Sequence, residues 1–162
     1  MKLYLVRHAT ASDLAPSDAE RPLTKEGRQE AQIAGAALGR LEVRPDQILS
    51  SPLLRARQTA EIIAEKLKFQ KEISVFPELG NGHTLAQVLR VAKTFEPFTE
   101  MIWVGHMPSL AEHLAGLLGS EHPAALSMGK ATVACVELTT LRAGRAELRW
   151  FMRQKQLRLV AS

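Results

Sequence analysis

Two histidines and two arginines stand where side chains most readily do chemistry. Three segments share one pattern: an apolar run stops, polar residues follow at once, and a helical pattern begins. The first gives Arg7 and His8 after residues 3–6, the second Ser51-Pro52-Leu53-Leu54-Arg55 after residues 47–50, and the third Gly105-His106-Met107-Pro108 after residues 101–104. Ligands of open α/β sheets collect at such strand ends. The pooled set holds two guanidinium groups and two imidazoles, with no carboxylate and no thiolate. Hard metal ions want oxygen ligands, and zinc wants three or four His, Cys or acid donors. The expected guest is therefore an anion, and neither a metal nor a cofactor is expected.

These residues need strands and helices to position them, and the hydrophobic pattern supplies both. Residues 2–7 read as a first strand, followed by a turn-rich stretch over 12–22. Thr24 has the position of a helix N-cap, with Ala31, Ala34, Leu38 and Leu41 at helical spacing behind it. A short strand over 47–50 precedes a second helix, with Pro52 at its first turn and Leu53, Ala56, Ala60, Ile63 and Leu67 on its apolar side. A strand over 73–76, a helix over 84–95, a buried strand over 101–104 and a helix opened by Pro108 follow. Two last strands, over 132–138 and 145–151, are joined across Arg142-Ala143-Gly144, so their pairing should be antiparallel. The basic stretch 149–158 reads as a solvated tail or strand edge. Alternating strands and helices without repeat, linker or low-complexity tract predict one layered α/β domain over residues 1–162.

Composition narrows the function classes. The 162 residues are 46% hydrophobic and 23% charged, which excludes a disordered or collagen-like chain, and the single cysteine, Cys135, excludes an internal disulfide. The apolar run before Arg7 is only the four residues 3–6, too short for a signal peptide or a membrane span. A cytoplasmic protein without membrane partners is expected. The net charge of +4 comes from basic residues scattered among acids, so no nucleic-acid partner is expected. Nothing in the sequence sets the number of subunits.

Taken together, Arg7-His8-Ala9, Ser51-Pro52-Leu53-Leu54-Arg55-Ala56-Arg57-Gln58-Thr59 and Gly105-His106 resemble the histidine phosphatase superfamily. With Arg21-Pro22-Leu23-Thr24 and the short length, the chain is most similar to the small SixA-type phosphohistidine phosphatases. The resemblance spans nearly the whole chain, and its specificity lies in the conjunction of motifs. It implies a three-layer α/β/α sandwich around a mainly parallel sheet with an antiparallel edge. It also implies His8 as the nucleophile, with Arg7, Arg55 and His106 around the phosphate. Ala9 departs from the glycine of the family motif, and alanine fits there unless the backbone needs a positive φ.

Elementary chemistry agrees with these roles. An arginine's planar fork makes paired, charge-assisted hydrogen bonds to phosphoryl oxygens that lysine cannot reproduce. His8 must attack as the neutral imidazole, and nearby arginines help to keep it neutral. Its other nitrogen is expected to donate to a backbone carbonyl.

Glu78 stands where larger family members carry an acid, and reads equally as a proton donor to a leaving oxygen or as a structural anion. Arg21 is a candidate substrate-binding residue or a loop cap. His83, flanked by glycine, is a candidate at the pocket mouth or simply exposed. His113 reads as structural or superficial, His122 as a loop residue, and Arg57, about 200° around the helix from Arg55, as facing elsewhere.

The expected function is hydrolysis of phosphohistidine on signalling or phosphotransfer proteins. The alternatives are a general phosphatase of small phosphate monoesters and a non-catalytic module that binds phosphate or phosphohistidine. A phosphomutase is disfavoured, because no lid segment is evident to keep water from a phosphoenzyme.

Overall fold

The computed structural model describes residues 1–162. Its six strands are β1 (Lys2–Arg7), β2 (Gln47–Ser50), β3 (Ser74–Val75), β4 (Glu100–Gly105), β5 (Val133–Leu138) and β6 (Ala146–Met152). They form one sheet in the order β3-β2-β4-β1-β5-β6. Strands β3, β2, β4 and β1 run parallel, while β5 pairs antiparallel with β1 and β6 antiparallel with β5. The helices are α1 (Lys25–Arg40), α2 (Leu54–Leu67), α3 (Leu85–Lys93), α4 (Ser109–Leu118) and α5 (Gln154–Ala161).

The alternation of side chains along a strand explains the three layers. Leu3 and Leu5 of β1 face one way, joining Met101 and Trp103 of β4, Val88 and Leu89 of α3, and Leu110, Leu114 and Leu117 of α4. Tyr4 and Val6 face the other way, with Ile102 and Val104, against Ala34 and Leu38 of α1, Ala60 and Ile63 of α2, and Leu157 of α5. All four residues 101–104 are fully buried, as the apolar run predicts for a central strand. Burial of a side chain of this size contributes about 2 to 3 kcal/mol.

Helix starts follow the local chemistry. The Thr24 side chain accepts the Gly27 amide at 3.0 Å and caps α1. Gly27 is required by a close approach: a Cβ there would lie 1.9 Å from the Thr10 carbonyl oxygen, which also accepts the Thr24 amide at 3.0 Å. These contacts fasten the start of α1 beside the segment that follows β1. Pro52 lies in the turn before α2, which begins at Leu54. The strand expected over 73–76 is regular only at Ser74–Val75, with the Phe76 amide extending the pairing to the Ser50 carbonyl.

One element overturns its expectation. Of the stretch 149–158 read as a solvated tail or strand edge, residues 149–152 do lie on the edge strand β6, but residues 154–158 belong to α5, whose Leu157 is fully buried in the cluster that holds residues of α1 and α2. Leu157, Val160 and Ala161 form a short helical apolar stripe, while Lys155, Arg158 and the largely exposed Leu159 make up the outer face, so the pattern is weak in the sequence.

Register decides where the three motifs go. Arg7 pairs with Gly105 and Ser50 with Val104, so β1, β2 and β4 end at one level. His8, Ser51 and His106 therefore leave the same edge of the sheet side by side.

Candidate active site

His8 is 5% exposed, and its position is set by a relay from α2. The Thr59 hydroxyl, four residues after Arg55 and on the same helix face, donates to the Arg55 carbonyl at 2.7 Å and accepts the Ala9 amide at 3.0 Å. Ala9, so held at its amide, presents its carbonyl to His8 Nδ1 at 2.7 Å. A carbonyl only accepts, so Nδ1 carries the proton and the Nε2 lone pair is free. Ala9 is buried and is not among the residues with positive φ, so alanine meets the needs of this turn.

His106 stands against His8 with ring centroids 4.9 Å apart. Its Nε2 lies 2.7 Å from the Ser51 hydroxyl, and its Nδ1 is buried without a protein partner. If Ser51 donates, Nδ1 holds the proton and the ring has one unspent donor.

Arg7 and Arg55 flank these rings from β1 and from the first turn of α2. Arg7 Nη1 donates to the Met128 carbonyl at 2.8 Å, and its Nε has no partner. Arg55, 7% exposed, gives Nη1 to the Asp18 carbonyl at 2.7 Å and Nη2 to the Asp18 carboxylate at 3.1 Å. Asp18 lies in the loop before α1 and holds its proton less readily than a free carboxyl, because Arg55 and Arg21 hydrogen-bond its anion.

Burial sets the protonation of both rings. It pushes His8 down to about 3, helped by the charges of Lys130, His106 and Arg55, against the Ala9 hydrogen bond. It pushes His106 down to about 4, with Arg55 as the next cause. Both are neutral near pH 7, as a nucleophilic imidazole requires. Free imidazole titrates near 6.5. Below that pH the unfolded chain binds protons that the folded chain refuses, so folding stability is full above about 6.5 and declines as pH falls toward 4 and then 3. The expected result is a urea midpoint clearly lower at pH 4.5 than at pH 7. The drop should shrink in His8→Gln, which removes one of the refusing groups.

The sequence candidates divide by location. His8, Arg7, Arg55 and His106 come together. Glu78 sits on the turn 77–79, which abuts Gly105: a Cβ on Gly105 would lie 2.9 Å from the Leu79 carbonyl oxygen. This brings Glu78 to the same end of the sheet, with its Oε2 buried and unpartnered.

Arg21 spends its guanidinium within its own loop, on the Ser12 carbonyl at 2.8 Å, Asp18 at 3.2 Å and Asp13 at 2.6 Å. It reaches the site through Asp18. No hydrogen bond ties His83 to the cluster; its carbonyl accepts Nε2–H of the buried His113 at 2.9 Å. Arg57 is half exposed and faces Glu61.

Sequence reasoning missed the positions of Asp18, Lys130 and the Met128 carbonyl, and gave no role to Ser51 or Thr59. Thr59 was findable from its i+4 spacing to Arg55, and Ser51 from its place directly after β2. No cluster of three or more His, Cys, Asp or Glu side chains occurs that could hold a metal ion. The arrangement can bind a tetrahedral anion against a neutral imidazole with a free lone pair.

The fold and this constellation define a class, and comparison agrees. The profile of the histidine phosphatase superfamily (branch 1) matches residues 3–84, and the chain belongs to that superfamily. It is a phosphatase, hence a hydrolase. Over its whole length it is similar to the phosphohistidine phosphatase SixA of Escherichia coli, with 29% identity over 162 residues and 98% of each chain covered. A structure of the protein histidine phosphatase SixA complexed with tungstate superposes with a TM-score of 0.87 and 29% identity, covering 97% of this chain and 99% of that one. A protein of Picosynechococcus is 38% identical over 116 residues, 69% of this chain and 70% of that one.

Proposed function

We propose that this phosphatase removes the phosphoryl group from phosphohistidine on signalling or phosphotransfer proteins. The observation that carries the reading is His8 itself: a buried, neutral imidazole with Nδ1–H fixed on the Ala9 carbonyl and Nε2 free beside two arginines. The end-to-end likeness to SixA favours a protein-borne phosphohistidine as donor.

In the first step Nε2 of His8 attacks phosphorus while the P–N bond of the donor breaks. When the donor ring carries a proton on its second nitrogen it leaves as neutral imidazole, and His8 becomes the phosphorylated, positively charged ring. One phosphoimidazolium replaces another, and no proton has to be delivered to the leaving group. Arg7 and Arg55 hold the equatorial oxygens as charge builds on them. His106 donates a hydrogen bond to the same group. Water then attacks phosphorus as the P–N bond breaks, both of its protons leaving with the product as dihydrogen phosphate, and His8 returns as the neutral imidazole with Nδ1–H still donated to the Ala9 carbonyl. Every step uses side chains alone, so the reading is of a metal-independent enzyme that needs no cofactor. Residues 1–162 act as one catalytic domain in the cytoplasm, and no helix is long and apolar enough to cross a membrane.

A phosphate monoester differs in its leaving group, since an alkoxide or phenolate departs far faster with a proton. Glu78, with a buried and unpartnered Oε2 at the same end of the sheet, is the candidate to give one, which makes it the discriminator between carriers. The test measures phosphate release from a histidine-phosphorylated carrier protein and from an aryl phosphate, for the unmodified enzyme and for Glu78→Gln. The expected result is faster release from the carrier, changed less than about threefold by the substitution, because general-acid catalysis at about 10² to 10⁴ is not called upon. Preference for the aryl ester, with strong dependence on Glu78, moves the assignment to small monoesters. Turnover of neither, with phosphate still bound, leaves a binding module.

A further inference from the structure

Lys130 lies on a segment tied to both the nucleophile and the clamp. Met128, two residues before it, accepts Arg7 Nη1 at 2.8 Å. Ala131, one residue after it, donates its amide to the His8 carbonyl at 3.3 Å, and the Thr132 carbonyl accepts the Arg7 amide at 3.1 Å. The turn is closed by the Thr132 amide on the Gly129 carbonyl at 3.2 Å, and Gln154 donates to the Ala131 carbonyl at 3.2 Å. Ala131 is fully buried with φ +49°, a left-handed conformation that an alanine adopts only where its surroundings impose it. The segment is thus held in one shape against β1.

The side chain on this segment has no partner of its own. Lys130 is half-buried, makes no hydrogen bond, and has no carboxylate within ion-pair distance. Burial is the first cause that weakens its hold on its proton, and its charged neighbours are mostly alike: Arg7, Arg21 and Arg55 add to the effect while Glu30 opposes it. A lysine ordinarily turns its ammonium to water and to acids. A cation kept half-buried among other cations is relieved by an anion placed between them.

Arg55 supplies the need for that cation. Both of its terminal nitrogens are engaged by Asp18, whose carboxylate cancels one positive charge at the site. Arg21, the remaining guanidinium, is already matched by Asp13. With Asp18 counted, Arg7, Arg55 and a third cation leave the two positive charges that a phosphoryl dianion requires.

We propose that Lys130 is a substrate-binding residue, the third cation on the phosphoryl oxygens beside Arg7 and Arg55. This rests on the phosphatase reading above and names a further binding group for it.

The probe is inorganic phosphate, bound by the complete chain and read both by calorimetry and as competitive inhibition of turnover. In Lys130→Met, affinity for phosphate should fall about tenfold and KM should rise in parallel, with kcat within about threefold. In Lys130→Arg, most of the affinity should return. Unaltered phosphate affinity in Lys130→Met overturns the proposal, and so does an equal loss in Lys130→Arg, since the charge would then not be the cause. A second measurement needs no variant: saturating phosphate should protect Lys130 of the unmodified protein from an amine-reactive label, while exposed Lys155 reacts unchanged. Equal labelling of Lys130 with and without phosphate also overturns it. Failure of the unmodified protein to bind phosphate at all sinks the phosphate site as a whole, whereas binding that ignores Lys130 sinks this inference alone.

Discussion

His8→Ala is expected to lose phosphoryl turnover by about four to six orders of magnitude, the scale on which an enzyme with a covalent intermediate fails without its nucleophile. The loss should fall on kcat. Arg7, Arg55 and His106 remain in the variant, so inorganic phosphate should still bind within about threefold of its normal affinity. That split separates a missing nucleophile from a collapsed site. A direct check is to quench the unmodified enzyme during turnover and find the phosphoryl group on His8 by mass spectrometry under alkaline conditions, which preserve phosphohistidine. Turnover in His8→Ala within tenfold of normal would remove His8 from the mechanism. The acid side of the pH profile tests the same residue: burial pushes His8 down to about 3 and His106 to about 4. No loss of activity from either ring is expected near 6.5, where exposed histidines titrate. An inflection there that disappears with His8 would show the ring to be more accessible to protons than its surroundings imply.

The core of this site is legible in the sequence because each member sits where the chain changes character. Arg7, His8 and His106 end apolar runs, and Arg55 opens a helix after one. A reader who places the strands places the residues. The register pairing Arg7 with Gly105 and Ser50 with Val104 then does the rest, since parallel neighbours that end level deliver their loops to one edge. The layered α/β plan is legible in the alternation of strands and helices, whereas the three layers follow from the family resemblance, since the continuous apolar run 3–6 does not say which side chain takes which face.

What stayed hidden depends on how loops close. Asp18 lies in a turn-rich stretch, 37 residues before the arginine it holds, and nothing in its local spacing announces that contact. Lys130 precedes β5 with no motif around it, and its place follows from β5 pairing with β1. Helix α5 was hidden for another reason: its apolar stripe is short and basic residues surround it, so local composition reads as solvated while packing on α1 decides otherwise. His113 was legible only as structural or superficial, and the fold decides for the first: it is buried and spent on the His83 carbonyl. Single residues at element ends are read from sequence far more easily than contacts made by closing a loop.

The Asp18 contact gives the second large effect. Arg55→Lys preserves the charge and should still cost about 10² to 10³ in kcat/KM, the scale of losing one preorganised donor at a developing oxyanion. Two geometric reasons support so large a cost for a conservative change. A lysine ammonium cannot present parallel donors to phosphoryl oxygens. Nor can it hold the Asp18 carbonyl and carboxylate together at 2.7 and 3.1 Å while leaving donors for substrate, as the five N–H groups of a guanidinium can. Asp18→Asn separates the two reasons. It keeps the carbonyl contact and removes the charge that steadies Arg55, so it should lower kcat/KM by about tenfold, well short of the Arg55→Lys loss. The comparison is read from steady-state kinetics on the phosphorylated carrier, with phosphate affinity measured beside it. If Arg55→Lys stays within threefold of the unmodified enzyme, positive charge alone is what the site needs at this position. If Asp18→Asn speeds turnover, Asp18 competes with the substrate for Arg55 and the loop restrains the site. A loss in both, graded as stated, means that the carboxylate holds the guanidinium in the orientation in which its free N–H groups meet the phosphoryl group.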